Sequence, residues 1–300
     1  MLDRIARLAR LFALSASTLS IVAASGCSSS VDAGNPTDGG GSDTSSPGTD
    51  SGGETPATGP LAFKTYVILG DSISDGGGQA PFFYDLLQKN DDAKYPDYKG
   101  QDLTTKYGAM KIEKHSKGGS TAVNLDAQVG ALPTSLEGPV LVTITIGGND
   151  VQAALPAILG GGTDDVKRGQ FQGYIQTALD ELTKPGRFGA GVQVRIVMTN
   201  IYDPSDGTGN FTFATGTKCS GALGFWPAGK ETKPLLDKWE DVMTAEAAKH
   251  PEVTLVDLRS RFNGHGVPDA ETWFVGDCIH PNAPGHNQVR GIAWDVIKTL

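Results

Sequence analysis

The chain has 300 residues, a formal net charge of -9 at pH 7 and 38% hydrophobic residues. That acidic balance argues against a nucleic-acid partner, because binding phosphates takes a basic face. The composition is that of a globular protein, and the length allows one or two domains.

The first 27 residues read as a leader. Arg4, Arg7 and Arg10 precede an apolar run from Leu11 to Ala24 that is too short to be a comfortable membrane span. Ala24-Ser25-Gly26-Cys27 follows, small residues leading to a cysteine. The segment resembles the lipobox of a bacterial lipoprotein, in which Cys27 becomes the lipidated first residue of the mature chain. Ala24 stands where that pattern prefers Leu, and an ordinary signal peptide cleaved nearby is the alternative. Both readings export the protein, either anchored by lipid in the cell envelope or secreted. Residues 28–60 are Ser, Gly, Thr, Pro and Asp with almost no large apolar side chain. Such a stretch cannot bury enough surface to offset its ordering entropy and is expected to be a flexible tether. Residues 61–300 remain for a single domain with a sizeable core. With Cys27 lipidated, Cys219 and Cys278 are left as a pair in an oxidising compartment, and a disulfide between them is expected; two free thiols are the alternative.

The domain opens on Tyr66-Val67-Ile68-Leu69, a short apolar run that predicts a buried strand, ending abruptly in Gly70-Asp71-Ser72. A serine at the carboxyl end of a strand lies where α/β sheets place their ligands, near a helix start whose free N–H groups favour negative charge. Helix is expected over Pro81–Gln88, irregular surface loop over Tyr95–Tyr107, and a second strand over Met110–Glu113. His115-Ser116-Lys117-Gly118-Gly119-Ser120-Thr121 follows, then a short helix over Val123–Val129. Pro139–Ile146 is the clearest strand. Its near-continuous β-branched character predicts burial on both faces, as in a parallel sheet covered by helices. It ends in Gly147-Gly148-Asn149-Asp150 and a short helix. Thr163-Asp164-Asp165 resembles a cap for a long helix to Leu182, with Val166, Phe171, Ile175, Leu179 and Leu182 on its apolar face. Val192–Thr199 predicts a strand, and 203–230 a long Gly/Pro-rich loop carrying Phe211, Phe213, Phe225 and Trp226. A loop of that length is usually functional or disordered. Helix over Pro234–Lys249, strand over Val253–Asp257, an irregular Trp273–Pro284 and a final helix from Gly285 complete the chain. Strands alternating with helices indicate an α/β sandwich around a parallel sheet.

Three groups carry chemistry. Asp277-Cys278-Ile279-His280 can turn so that the carboxylate reaches one ring nitrogen, leaving the other as a general base. A serine hydroxyl needs such a base to become a nucleophile. Asn149, directly after the best strand, offers a side-chain N–H to an oxyanion, with Asp150 as a turn and cap residue. Gly119 lets backbone approach closely and can point its own N–H at a ligand. No second cluster of His, Cys or Asp at ligand spacing supports a metal. His115, His250, His265 and His286 have no partner at telling spacing and read as surface or local packing. Trp226, Phe225 and Trp273 are equally compatible with a substrate pocket and with ordinary packing.

Gly70-Asp71-Ser72, the Gly119 block, Gly147-Gly148-Asn149-Asp150 and Asp277-x-x-His280 resemble, in order and context, the motifs of the SGNH (GDSL) hydrolases. The resemblance spans the domain from about Phe63 to Leu300. It implies a flavodoxin-like three-layer α/β/α sandwich with a mainly parallel sheet, and a cofactor-free esterase. Ser72 is the implied nucleophile, His280 the base and Asp277 the acid. The N–H groups of Ser72 and Gly119, with the Asn149 side chain, are the implied oxyanion hole. Gly118 competes with Gly119 for that role, Ile73 replaces the family's Leu, and Cys278 inside the Asp-His turn is less usual. A Cys219–Cys278 bond would tie the aromatic loop to the catalytic loop. The expected substrates are short-chain acyl esters or carbohydrate O-acetyl esters, acted on by a monomer. A lipase or lysophospholipase of the same family, or a silent binding module displayed on the envelope, are the alternatives.

Overall fold

A computed structural model describes residues 60–221 and 223–300. The leader, Cys27 and all of the tether except Pro60 lie outside the described residues. Five strands form one parallel sheet: β1 (Thr65–Gly70), β2 (Lys111–Lys114), β3 (Val140–Thr145), β4 (Val194–Thr199) and β5 (Val253–Val256), in the order β2-β1-β3-β4-β5. Every residue of β1 and β3 is buried. Their near-continuous apolar, β-branched sequences therefore follow from having helices on both faces. β2, Lys-Ile-Glu-Lys, is the half-exposed edge, and its lysines blunt it against pairing with another chain.

The helices are α1 (Ser72–Asp75), α2 (Phe83–Gln88), α3 (Leu103–Tyr107), α4 (Ala122–Gly130), α5 (Gly148–Leu159), α6 (Asp165–Thr183), α7 (Lys233–Ala247), α8 (Leu258–Phe262) and α9 (Ala283–Ile297). α4, α5 and α7 pack on α6 in one layer, and α2 and α8 pack on α9 in the other. The result is a three-layer α/β/α sandwich in the flavodoxin-like strand order. Among the described residues no helix is long and apolar enough to cross a membrane.

The strand order reverses between β1 and β3, which is where ligands bind in open α/β sheets. The register there is set by Gly70 opposite Thr145. Gly70 sits at φ +118°, and a Cβ on it would lie 1.9 Å from the Thr145 carbonyl oxygen. Only glycine lets β1 end so close to β3. The two chains therefore leave the sheet side by side, one toward Ser72 and the other toward Asn149.

Three local expectations are corrected. The stretch 95–107 is not wholly irregular: it holds a 3₁₀ turn (Pro96–Tyr98) and α3, whose N-cap Asp102 accepts from Thr105 N–H at 2.7 Å. Only Leu103 of α3 is buried, so no period marked it. Val166 is 75% exposed. At about 100° per residue it falls well off the stripe of Phe171, Ile175, Leu179 and Leu182. Asp164 does not cap α6; its carboxylate takes Trp239 Nε1 at 2.8 Å and Arg168 Nη1 at 2.7 Å. Helix α8, five residues long and separated from β5 only by Asp257, is an element the sequence pattern did not reveal.

Candidate active site

Asp71 anchors the end of β1. Its N–H donates to the Thr145 carbonyl at 2.9 Å, and its Oδ1 accepts from Ile73 N–H at 3.0 Å and Thr145 Oγ1 at 2.9 Å. Burial pushes its pKa up to about 7, against the pull of those donors. Ser72, the next residue, opens α1 with its Oγ 2.8 Å from His280 Nε2. That pair closes a separation of 208 positions.

The imidazole is held by its own loop. Asp277 Oδ1 accepts from the N–H groups of Ile279 and His280, both at 2.9 Å, and Oδ2 lies 2.6 Å from His280 Nδ1. Burial pulls the Asp277 carboxyl upward, but the three donors outweigh it and its pKa falls below the usual carboxylate value. With the Nδ1 proton donated to that ionised carboxylate, Nε2 is left to accept from the Ser72 hydroxyl. Cys278, at φ +64° in this turn, is disulfide-bonded to Cys219 in the 203–230 loop. The Val275 N–H to His280 carbonyl bond (2.9 Å) and the Tyr202 hydroxyl on the Ile279 carbonyl hold the same loop from outside.

Opposite lies the glycine block. Ser120 N–H donates to the Lys117 carbonyl at 3.1 Å across a turn whose third residue, Gly119, sits at φ +80°. That is the signature of a type II turn. Gly118 N–H is taken by Asp75 Oδ2 at 2.8 Å. Among the described residues no group accepts from the N–H of Gly119 or of Ser72. Asn149, in the first turn of α5, donates from Nδ2 to the Ser120 carbonyl at 2.9 Å. One amide hydrogen is thereby fixed and the other is free. Ser72, Gly119, Asn149 and His280 line one open cleft of about 510 Å³ together with Gln152 and Ile279.

Apart from Asp150, expected as a turn and cap residue, the supporting groups had no signal in the sequence. Gln128 clamps the end of β1, accepting from Gly70 N–H (2.7 Å) and donating to the Gly70 carbonyl (2.9 Å) and Ser120 Oγ (3.2 Å). Asp150, pushed up to about 6 by burial, accepts from Ala122 N–H at 3.0 Å and seats the start of α4. His286 is fully buried and donates from Nε2 to the Gly77 carbonyl at 2.9 Å. Its partner lies 209 positions away, so no spacing could betray it. His115 reaches Glu113 at 3.3 Å, His250 reaches Thr183 at 3.0 Å, and His265 stacks on Trp273 with ring centroids 3.6 Å apart. Phe225 is 81% exposed, whereas Phe211 and Trp226 are buried against each other. Among the described residues no group of three or more His, Cys, Asp or Glu could hold a metal.

The arrangement can take a proton from a hydroxyl and hold an oxygen that becomes negative. Its fold is shared with a lipase from a goat rumen metagenome, 16% identical, at a TM-score of 0.51 over 78% of this chain and 97% of the other. Also similar are an extracellular lipase from Streptomyces rimosus (20%, TM-score 0.46, covering 79% and 99%) and an acetylxylan esterase from Geobacillus stearothermophilus (18%, 0.47, covering 78% and 94%). At these identities the likeness bears on the fold. No curated protein matches the sequence. Residues 68–288 match the family described as GDSL-like Lipase/Acylhydrolase. The chain belongs to that family, the SGNH/GDSL hydrolases, and is a carboxylic-ester hydrolase.

Proposed function

We propose that the protein is a serine esterase working through an acyl-enzyme, with Ser72 as nucleophile, His280 as general base and Asp277 as its orienting carboxylate. The observation that carries this reading is the relay of 2.8 Å from Ser72 Oγ to His280 Nε2 and 2.6 Å from Nδ1 to Asp277. Ser72 Oγ attacks the ester carbonyl while Nε2 takes its proton. The resulting oxyanion is held by the N–H groups of Ser72 and Gly119 and the free Nδ2 hydrogen of Asn149. Gly119 is preferred to Gly118 because the Gly118 N–H is already committed to Asp75. The tetrahedral adduct collapses, and the imidazolium returns the proton to the departing alcohol. Water then attacks the acyl-enzyme by the same route, releasing the acid and Ser72. Asp277 stays ionised throughout, in keeping with its lowered pKa.

A short acyl or carbohydrate O-acetyl ester needs no more room than the open cleft, and this is the minimal substrate class we infer. The protein is read as an exported monomer, tethered by residues 28–60 to a lipidated Cys27. Support comes from the Arg-rich leader and apolar run, and from a disulfide suited to an oxidising compartment. Fluorophosphonate labelling tests the chemistry. Wild type is expected to be labelled at Ser72 and to hydrolyse p-nitrophenyl acetate, with Ser72→Ala losing both. An unlabelled wild-type serine would favour the silent binding module instead.

A further inference from the structure

The donors proposed for the oxyanion hole stand on separate pieces of chain. Ser72 opens α1, Gly119 lies in the 117–120 turn, and Asn149 is in the first turn of α5. They can act on one oxygen only if the three pieces keep their spacing. Gly118 and Gly119 bring no side chain that could hold the turn in place. Its two ends are tied down: Lys117 N–H donates to the Gly70 carbonyl at 3.0 Å, and Asn149 Nδ2 donates to the Ser120 carbonyl at 2.9 Å. Between those ends, Asp75 Oδ2 accepts from Gly118 N–H at 2.8 Å, the only hydrogen bond either glycine makes among the described residues. Asp75 ends α1, three positions after Ser72, so this bond runs from the nucleophile's own helix to the residue before Gly119. Ser116 Oγ donates to the Ser74 carbonyl at 2.7 Å and braces the same seam. The seam is narrow: a Cβ on Gly118 would lie 3.9 Å from Ser72 Cβ.

We propose that Asp75 is a positioning residue for the reaction: its hydrogen bond to Gly118 sets the spacing between the N–H groups of Ser72 and Gly119, and thereby the fit of the hole to the tetrahedral oxyanion. The inference rests on the serine-esterase reading above. A carboxylate is a strong acceptor for a peptide N–H, since the bond is charge-assisted. It also brings a hazard. Asp75 lines the cleft, where a free negative charge would oppose the developing oxyanion. Both of its oxygens are engaged, however, with Oδ2 on Gly118 and Oδ1 3.4 Å from Lys114 Nζ. Lys114 ends β2, the strand that leads into the turn, and its Nζ lies 4.2 Å from the centre of the Tyr84 ring. A pair this exposed adds little stability. Its effect is to balance the charge beside the site and to leave Oδ2 for Gly118.

The test compares Asp75→Ala with Asp75→Asn in the intact protein, each beside a thermal melt. Asp75→Ala is expected to lower kcat on p-nitrophenyl acetate about 10–100-fold with KM changed by less than about threefold, because the displaced donors act on the oxyanion and not on the ground state. Asp75→Asn keeps an oxygen for Gly118 while the flexible Lys114 turns to solvent, so its kcat is expected within about fivefold of wild type. Butylboronic acid reads the hole without turnover, since its tetrahedral adduct on Ser72 sets a hydroxyl where the oxyanion forms. Its inhibition constant is expected to rise in Asp75→Ala in step with the fall in kcat. Asp75→Leu serves where the alanine variant does not fold. A folded Asp75→Ala with wild-type kcat would overturn the proposal, as would a loss carried by KM with boronate inhibition unmoved. An asparagine variant as slow as the alanine one would assign the effect to charge and overturn it too. Hydrolysis retained by Ser72→Ala would instead overturn the serine-esterase reading, so the two failures are distinct.

Discussion

His286 donates from Nε2 to the carbonyl of Gly77 at 2.9 Å, so the final helix holds the backbone segment packed against both Ser72 and His280. Gly77 N–H donates to the Ser72 carbonyl at 2.6 Å. A Cβ on Gly77 would lie 2.5 Å from His280 Cδ2, 2.8 Å from Nε2 and 2.9 Å from Ser72 Cβ. The glycine is a spacer matched to the serine-imidazole contact. Gly77→Ala is therefore expected to fold, because the clash faces an open cleft, and to lower kcat at least about a hundredfold, since small misplacements at reacting atoms cost that much. Steady-state kinetics on a short ester beside a thermal melt checks it. Full turnover in a folded variant would show that the imidazole shifts freely and that Gly77 is no spacer.

His286 also sets an acid limit on stability. Burial pushes its pKa down to about 4, against the help of the Gly77 carbonyl and with the His280 charge opposing protonation. The unfolded chain takes up that proton near 6.5. A base depressed in the native state leaves stability intact above the unfolded value. The contribution is then lost as pH falls from about 6.5 toward 4, by up to ~3 kcal/mol. His286→Gln keeps a donor for Gly77 but cannot ionise. Denaturant midpoints at pH 7.5, 5.5 and 4 are expected to fall less steeply for it than for wild type; parallel slopes would assign the acid sensitivity elsewhere.

These two residues also mark where sequence reasoning ends. β1, β3 and β4 were legible because burial on both faces leaves a near-continuous apolar, β-branched run, broken in β4 only by the half-buried Arg195. Each strand-end motif was legible because its residue types are few and their chemistry is specific. Ser72 and Asn149, at strand ends on either side of the switch point, line one cleft with His280 from the loop before the final helix. Gln128 and His286 were invisible, and Asp150, legible as a turn and cap residue, gave no sign that its partner is Ala122 at the start of α4. Gln128 and His286 act chiefly on backbone groups far off in sequence, at Gly70 and Gly77, and a backbone group has no residue type to read. α3 and α8, five residues apiece, carry too few apolar positions to show a period. Val166 misleads for the opposite reason: it is an apolar residue beside a periodic run, yet helical rotation turns it to solvent.

The disulfide offers a separation of structural from catalytic roles. Cys219 and Cys278 enclose 59 positions, a loop whose closure is worth about 4 kcal/mol in the chain-entropy account. For a domain of this size that is a fall in Tm of roughly 10 °C. Cys219→Ser removes the bond without altering the Asp277–His280 turn, which is closed by its own three donors. Thermal melts of wild type and variant, with and without reductant, are expected to differ by that amount only in the oxidised samples. An unchanged Tm on losing the bond would mean the 203–230 loop contributes nothing to holding the fold.

Asn149 carries the sharpest prediction about transition-state charge. Its Nδ2 gives one hydrogen to the Ser120 carbonyl at 2.9 Å, which orients the amide, and holds the second at the cleft with Ser72 and Gly119. An oxyanion exists only once the tetrahedral adduct forms, so the donor proposed for it is expected to act on turnover rather than on ground-state binding. Asn149→Ala is expected to lose about 10²–10³ in kcat, ~2.7–4 kcal/mol, with KM for a short ester changed by less than about threefold. Asn149→Asp keeps the shape but sets a carboxylate against both the developing charge and the Ser120 carbonyl, so its kcat should be no higher than that of the alanine variant. Parallel measurements of kcat and KM on both variants decide the matter. If the loss fell entirely in KM, or if Asn149→Asp retained turnover, the amide would be positioning substrate and the charge would be held by the backbone N–H groups of Ser72 and Gly119 alone.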